Sequence, residues 1–298
     1  MPLLFHFPGY ESVAHSLKEH LSSCALGRAT VRHFPDGESF VQLHTDVKGK
    51  DVILLCGLDQ PDTKAMALLF FTKVAKELGA KSVGLVTPYL GYMRQDKKFH
   101  EGEAITSNLF AAFLSQHVDW LVTIDPHLHR HKTLEEIYTI PTKVLHAADT
   151  ISAWIKENVD KPLIIGPDEE SEQWVFDVAQ KANAPFIVLT KKRHGDRDVE
   201  VSVPKMDSYK DHTPILVDDI ISTARTMIET VSHLEKAGTK PPTCIGVHGV
   251  FAKGAYENLL KVGIKKVVTC NTIIHPSNAI DIVPLVAVGI RELSCCTG

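Results

Sequence analysis

This 298-residue chain lacks several sequence features that are typical of other protein classes. Its six cysteines form no CxxC pair, so we predict buried, reduced thiols instead of a zinc site or a disulfide framework. No apolar run approaches the ~18 residues that a membrane-spanning helix needs. The opening residues carry neither the basic region nor the long apolar segment of a secretory signal. The sequence therefore predicts a cytoplasmic protein with no membrane partner.

Two signatures of nucleotide binding are also absent. The chain has no G-x-x-x-x-G-K-[ST] run and no G-x-G-x-x-G run, so neither a Walker loop nor a dinucleotide fingerprint is predicted. The formal net charge is −4, from 32 basic and 36 acidic residues that are mixed along the chain. Because proteins that bind nucleic acid usually carry a basic face, nucleic acid is not an expected partner.

The chain does contain a regular alternation of short apolar runs with longer amphipathic segments. Strands are predicted at 51–55, 82–87, 120–124, 163–166, 186–190, 215–217, 243–250 and 266–270. Helices are predicted at 63–78, 106–116, 148–158, 170–182, 223–237 and 254–262. Such alternation predicts an α/β fold with mostly parallel sheets flanked by helices. Because the alternation runs twice, we predict two similar domains, residues 1–146 and 147–298.

The predicted strand 215–217 leads into the most informative segment. Asp218 and Asp219 follow it directly, then a loop and a predicted helix. Ligands of open α/β sheets bind beyond the carboxyl ends of strands, where paired carboxylates can accept hydrogen bonds from vicinal sugar hydroxyls. Backbone N–H groups at the helix N-terminus, with nearby Ser and Thr hydroxyls, can hold a phosphate. The segment fits a phosphorylated pentose, although helix capping explains any one of these residues alone.

A polar cluster, Arg94, Gln95 and Asp96, follows the predicted strand 82–87. Arginine can bind phosphate oxygens through two parallel hydrogen bonds, and Gln and Asp can bond a heterocycle or a ribose. Taken alone, the cluster is more typical of a solvated, charged loop.

Four residues that suit a metal ion follow the predicted strand 120–124, namely Asp125, His127, His129 and His131. Alternate positions of an extended chain face the same side, so these side chains are predicted to converge. Imidazole with carboxylate suits a divalent ion, and the H-x-H pattern also occurs in zinc hydrolases.

Three weaker signals remain. Asp168 follows the predicted strand 163–166. Its carboxylate is predicted either to cap the next helix or to contact a metal ion or a hydroxyl group. Lys191 and Arg193 belong to a basic run that predicts either a mobile cationic loop or a solubilising turn. The Asp-Gly pair within residues 34–38 predicts a hairpin turn.

Taken together and in this order, the motifs resemble those of the ribose-phosphate pyrophosphokinase (phosphoribosyl pyrophosphate synthetase) family. The matching segments are FPDGES, PYLGYMRQDKK, TIDPHLHR, GPDEES, KKR, VDDIISTARTM and VHGVF. The resemblance implies two phosphoribosyltransferase-type domains, with ATP bound by residues 1–146 and ribose 5-phosphate by residues 147–298. It implies Mg²⁺-dependent transfer of pyrophosphate from ATP to the C1 hydroxyl of ribose 5-phosphate, giving phosphoribosyl pyrophosphate and AMP.

The resemblance also implies roles for individual residues. Lys191 and Arg193 are the implied catalytic pair, His127 is an implied metal ligand, and Asp168 is an implied contact of the metal or the ribose. Implied ATP contacts are Phe34, Asp36, Glu38, Arg94, Gln95 and Asp96. Implied ribose 5-phosphate contacts are Asp168, Asp218, Asp219, Ser222, Thr223, Ala224, Arg225 and Thr226. The first three ATP contacts are expected to reach the ATP of a neighbouring subunit, which implies a homo-oligomer.

This chain departs from the family pattern at Ala224 and Arg225, where two glycines are usual. Glycine permits close backbone approach and unusual dihedrals. We expect Ala224 to cost little if its φ is negative, and Arg225 either to add a cation to the phosphate site or to point away. Three alternatives stay open: a non-catalytic homologue that regulates such synthetases, a phosphoribosyltransferase, and a metal hydrolase built on His127 and His129.

Overall fold

The computed structural model describes residues 1–167, 171–194, 198–202 and 206–296, and at positions 173, 190–194, 198–202, 206–207 and 294–296 it describes the backbone alone. The chain forms two compact units. One is Met1–Leu145 together with the C-terminal helix that begins at Val283, and the other is His146–Ile282. Each unit contains a six-stranded sheet, which confirms the predicted α/β fold with two similar domains.

The first unit is built on a parallel sheet. Its strands are β1 (Leu3–His6), β2 (Ala25–Leu26), β3 (Ala29–His33), β4 (Ser39–Leu43), β5 (Asp51–Leu55), β6 (Ser82–Thr87), β7 (Trp120–Ile124) and β8 (Thr142–Leu145). Its helices are α1 (Glu11–His20), α2 (Asp62–Glu77), α3 (Thr106–His117) and the C-terminal helix Val283–Cys296, labelled α8 because four helices of the second unit precede it. The sheet order is β2–β1–β5–β6–β7–β8, and β3 and β4 form a separate antiparallel hairpin.

The second unit repeats this plan. Its helices are α4 (Ala148–Asn158), α5 (Glu172–Ala182), α6 (Arg225–Lys236) and α7 (Ala255–Leu260). Its strands are β9 (Pro162–Gly166), β10 (Phe186–Val188), β11 (Thr190–His194), β12 (Asp198–Ser202), β13 (Thr213–Ile221), β14 (Thr243–Gly249), β15 (Lys266–Cys270) and β16 (Asn278–Ile280). The parallel sheet has the order β10–β9–β13–β14–β15–β16, and β11 pairs with β12 in an antiparallel ribbon.

The central strands read as continuous apolar runs because parallel sheets are covered on both faces. All five residues of β7 are buried. In the core of the first unit Phe5 of β1 meets Phe71 of α2 edge to face, with 5.3 Å between the ring centroids. This burial fixes the sheet, so the segments beyond the carboxyl ends of the strands are held on a rigid frame.

The C-terminal helix differs from the prediction that residues 147–298 form one domain. Helix α8 belongs to the first unit, where it packs against α1, β7 and β8. Gly289 permits close approach, because a Cβ there would lie 2.9 Å from Leu145 Cδ1 and 3.2 Å from Val122 Cγ1. An apolar helix pattern shows that a face is buried, but it does not show which sheet the helix covers.

Among the residues whose side chains are described, Cys24, Cys56, Cys244 and Cys270 are buried thiols outside any disulfide, as predicted. Burial raises the pKa of the Cys56 and Cys244 thiols to about 12, which makes them poor nucleophiles at neutral pH. Among the described residues, no helix combines the length and the apolar character required to cross a bilayer.

Candidate functional site

The acid pair lies inside strand β13 and not beyond its end. The strand was predicted at 215–217, but it continues to Ile221 and pairs with β14 along this extension. The Asp219 N–H donates to Asp218 Oδ1 at 3.0 Å, and the Ile220 N–H donates to Asp219 Oδ1 at 2.7 Å. Both acids are partly exposed. Regular pairing with β14 therefore holds two half-buried carboxylates in place.

A three-residue turn, 222–224, connects β13 to α6. The N–H groups of Phe251 and Ala252, which follow β14, donate to the carbonyls of Ile221 and Ser222, each at 2.9 Å. The N-cap residue of α6, Ala224, makes no side-chain capping hydrogen bond, and the first turn of the helix contains no acidic residue. The first N–H groups of a helix have no partner within the helix, so this end suits an anion.

Ala224 does not meet the condition of a negative φ under which it was expected to cost little. Its φ is +57° and its ψ is 8°, which is left-handed backbone. Such backbone costs an alanine roughly 1–2 kcal/mol, because Cβ crowds the following carbonyl. Ala224 is 6% exposed and packs in the apolar core with Ile221 and Met227. The turn thus keeps a backbone shape that suits glycine, and buried packing of the alanine methyl group stabilises it.

Substitutions at Ala224 test this strain. We expect Ala224→Val to lower the free energy of unfolding by more than about 2 kcal/mol, since a β-branched residue fits left-handed backbone poorly and overpacks the core. Ala224→Gly should change it by less than about 1 kcal/mol, because relief of strain offsets the lost burial of one methyl group. Urea denaturation of both variants measures the difference. Equal losses in the two would contradict left-handed strain at this position.

The three predicted ATP contacts in the segment after β6 differ in their exposure to solvent. Arg94 is exposed, Gln95 is partly buried and Asp96 is buried. The Thr106 hydroxyl at the start of α3 donates to Gln95 Oε1 at 3.4 Å. Arg130, from the segment after β7, donates through Nη1 to Asp96 Oδ1 at 2.5 Å. The structure therefore presents Arg94 to solvent and ties Asp96 to the neighbouring loop.

The four predicted metal-binding residues after β7 converge only in part. The His127 and His129 rings meet edge to face, with 3.9 Å between centroids. His131 instead lies beside Glu136, with Nδ1 3.2 Å from Oε2. Asp125 is buried, with φ +34°, at the point where β7 ends. This backbone turn interrupts the extended geometry on which the prediction of four converging side chains rested.

The β3–β4 hairpin carries Phe34, Asp36 and Glu38 in its turn, as the Asp-Gly pair predicted. The Phe34 N–H donates to the Glu38 carbonyl at 2.8 Å, and Gly37 takes φ +93°. All three side chains are exposed. The hairpin therefore presents an aromatic ring and two carboxylates to solvent.

Arg32 was missed by sequence reasoning. Its guanidinium carbon lies 4.5 Å from the ring centroids of both Phe34 and Phe40. The two rings are themselves in edge-to-face contact at 5.9 Å. Arg32 is the register partner of Phe40 in the β3–β4 hairpin, so the predicted hairpin was the available signal. Arg32 fixes the orientation of the Phe34 ring through cation–π contact.

Three predicted residues cannot be placed at side-chain level. Lys191 and Arg193 lie in β11, and the structure describes only their backbone. They pair with Val201 and Val199 of β12, so this basic run forms a strand where a loop was predicted. Asp168 lies outside the described residues.

Sequence comparison identifies the family. The N-terminal domain of ribose phosphate pyrophosphokinase matches residues 3–117, and the phosphoribosyl transferase domain matches residues 133–283. The ribose-phosphate pyrophosphokinase of Saccharolobus solfataricus is 31% identical over 88% of this chain and 91% of its own length. The chain belongs to the ribose-phosphate pyrophosphokinase family. The enzyme of that name from Sulfurisphaera tokodaii is 30% identical over 93% of this chain and 97% of its own.

A solved structure supports the same ribose-phosphate pyrophosphokinase assignment. The crystal structure of phosphoribosylpyrophosphate synthetase from Mycobacterium smegmatis covers 99% of both chains, with a TM-score of 0.86 and 26% identity. The family's N-terminal domain includes the β3–β4 hairpin and Arg94, and its phosphoribosyl transferase domain includes the acid pair and α6. His127 lies between the two matched ranges.

Proposed function

We propose that this chain transfers the pyrophosphoryl group of ATP to the C1 hydroxyl of ribose 5-phosphate, giving phosphoribosyl pyrophosphate and AMP. Relatives that are 31% and 30% identical carry the name of this enzyme. The observation that carries the proposal is the segment from Asp218 to the start of α6, where paired carboxylates precede a helix N-terminus whose N-cap residue, Ala224, offers no capping side chain. In such a segment the carboxylates suit the hydroxyls of a phosphorylated pentose, and the helix N-terminus suits its phosphate.

In the proposed pentose site, Asp218 and Asp219 accept hydrogen bonds from the ribose hydroxyls. The N–H groups at the start of α6, with the hydroxyls of Ser222, Thr223 and Thr226, bind the 5-phosphate. The positive end of the helix dipole stabilises an anion here. A cation, Arg225, occupies the first position of α6. A cation at a helix N-terminus is unfavourable on its own, so a bound phosphate explains its presence better than helix stability does.

Arg225→Ala tests this assignment. We expect the KM for ribose 5-phosphate to rise by about 2–5-fold, since one partly solvated phosphate contact is lost. Without substrate, the variant should be about 0.3–1 kcal/mol more stable, because the cation no longer opposes the helix dipole. Steady-state kinetics and urea denaturation measure the two effects. An unchanged KM for ribose 5-phosphate would show that Arg225 does not contact the phosphate.

The first unit supplies the proposed ATP contacts. Phe34, oriented by Arg32, is inferred to pack on the adenine, while Asp36 and Glu38 accept hydrogen bonds from the nucleoside. Arg94, with Gln95 beside it, binds phosphate oxygens. The exposure of all three hairpin side chains supports a homo-oligomer in which they reach the ATP of a neighbouring subunit.

The proposed reaction needs Mg²⁺, for which His127 is the inferred ligand, joined by Asp168. Mg²⁺ takes only one or two protein ligands and fills its shell with substrate phosphates and water. The partly exposed His127 at the end of β7 fits that sparse arrangement. When bound, the ion neutralises charge that develops on the phosphate oxygens.

Lys191 and Arg193 are the proposed catalytic pair. Attack at the β-phosphorus builds charge on the non-bridging oxygens and on departing AMP. Because the protein need form no covalent bond to the substrate, fixed cations supply most of the stabilisation of the transition state. Both residues belong to strand β11, which pairs with β12.

AMP formation from ATP tests the proposed function. It should depend strictly on both ribose 5-phosphate and Mg²⁺. A non-catalytic regulator would form no AMP, and it would have no use for Lys191, Arg193 or the acid pair. A phosphoribosyltransferase would consume phosphoribosyl pyrophosphate without ATP. A metal hydrolase would act without the pentose. We place the reaction in the cytoplasm, which buried free thiols fit, because that compartment keeps cysteines reduced.

A further inference from the structure

Asp96 is too deeply buried to touch a substrate. Its side chain is 3% exposed, and Oδ1 accepts the hydrogen bond from Arg130. Its second oxygen, Oδ2, is buried as well, and it has no hydrogen-bond partner in the part of the chain that the structure describes. A buried carboxylate needs a compensating charge, and the guanidinium provides it. The contact of Asp96 with ATP that the sequence predicted is therefore indirect at most.

Arg130 is placed differently. Its side chain is 46% exposed, although one of its nitrogens bonds a buried carboxylate. A guanidinium has five N–H donors in a rigid fork, and one bond to Asp96 engages a single donor. A held, half-exposed guanidinium is suited to bidentate binding of phosphate oxygens. Asp96 thus restricts the motion of Arg130 while leaving part of the guanidinium accessible.

The position of Arg130 indicates which anion it meets. It follows β7, which is the sheet neighbour of β6, so both loops lie at the same edge of the sheet. The loop after β6 carries Arg94 and Gln95, the proposed ATP contacts, directly before Asp96. The ion pair joins the two loops. A phosphate chain bound at Arg94 therefore has a second cation available on the adjacent loop.

We propose that Arg130 contacts the polyphosphate of ATP and that Asp96 is the residue that positions it. The inference rests on the proposed function, since it deepens the ATP site. A purely structural pair would neutralise Asp96 and nothing more. In that case the loss of either partner would lower stability and affect both substrates alike. A substrate contact weakens ATP binding selectively.

The experiment measures binding of α,β-methylene ATP with Mg²⁺ by calorimetry, and the KM values for ATP and ribose 5-phosphate. Arg130→Gln should weaken binding of the analogue by about 10–100-fold, the usual effect of losing a hydrogen bond to a charged group. Arg130→Lys should recover part of the loss. Lys132→Ala, which removes an exposed cation from the same loop, is the matched control and should change little.

Coupling between the two residues tests the positioning role. Asp96→Asn should weaken analogue binding less than Arg130→Gln does, and the double variant should bind no more weakly than Arg130→Gln alone. Unchanged analogue binding in folded Arg130→Gln, verified by its Tm, overturns the proposal, as do equal changes in both KM values. If Arg130→Gln does not fold, Arg130→Met, which also removes the charge, decides by the same criteria. If the unmodified protein binds the analogue through Arg130 but forms no pentose-dependent AMP, the proposed function fails and this contact stands.

Discussion

Replacement of Lys191 by alanine is expected to lower kcat by about 10²–10³-fold, the usual effect of removing one preorganised donor to a transition-state oxygen. The KM values for ATP and ribose 5-phosphate should stay within about threefold, because the contact forms mainly as charge develops. Single-turnover and steady-state measurements of AMP formation separate the chemical step from substrate binding.

The neighbouring lysine provides the control for this prediction. Lys192 follows Lys191 in β11 and is not a member of the proposed catalytic pair. Lys192→Ala removes the same charge from the same ribbon, and its kcat should stay close to that of the unmodified protein. Equal losses of kcat in the two variants would show that the net charge of the ribbon matters and not Lys191 itself. An unchanged kcat in Lys191→Ala would show that Lys191 does not stabilise the transition state.

Asp219→Ala is expected to raise the KM for ribose 5-phosphate by about 10–100-fold, because the ribose hydroxyls lose a charged acceptor. The KM for ATP should be unaffected, since the proposed ATP contacts belong to the first unit. The Asp219 carboxylate also accepts the Ile220 N–H, so Asp219→Asn, which retains one acceptor oxygen, should show a smaller increase.

An exposed acid from the same unit provides the control for this variant. Asp211→Ala removes a carboxylate just before β13 and should leave both KM values unchanged. A rise confined to the KM for ATP in Asp219→Ala would contradict the assignment of the acid pair to the pentose.

The central strands were predictable because their burial dictates their sequence. β5, β6 and β7 have the predicted bounds, since each is a short apolar run that both faces of a parallel sheet require. β13 extends past its prediction because it stays paired with β14 at Asp218, Ile220 and Ile221. The two acidic residues suggested that the strand ended at Val217. Pairing with β14 instead extends the strand to Ile221.

The candidate site was predictable where a motif is contiguous in sequence. Asp218, Asp219 and the start of α6 could be identified because strand, acids and helix follow one another. The pair Asp96–Arg130 could not, because its members are 34 positions apart and meet only when β6 and β7 lie side by side. The left-handed backbone of Ala224 was equally hidden, because alanine ordinarily avoids it.

The most direct test of pyrophosphoryl transfer follows the fate of the β-phosphorus of ATP. ATP carrying radioactive phosphorus at that position is incubated with the protein, Mg²⁺ and ribose 5-phosphate, and the products are separated. We expect the label to leave the nucleotide and appear in a pentose product in equal amount with AMP, and to stay in ATP when the pentose is omitted. Label retained in ADP, or released as free pyrophosphate or phosphate without the pentose, would contradict pyrophosphoryl transfer.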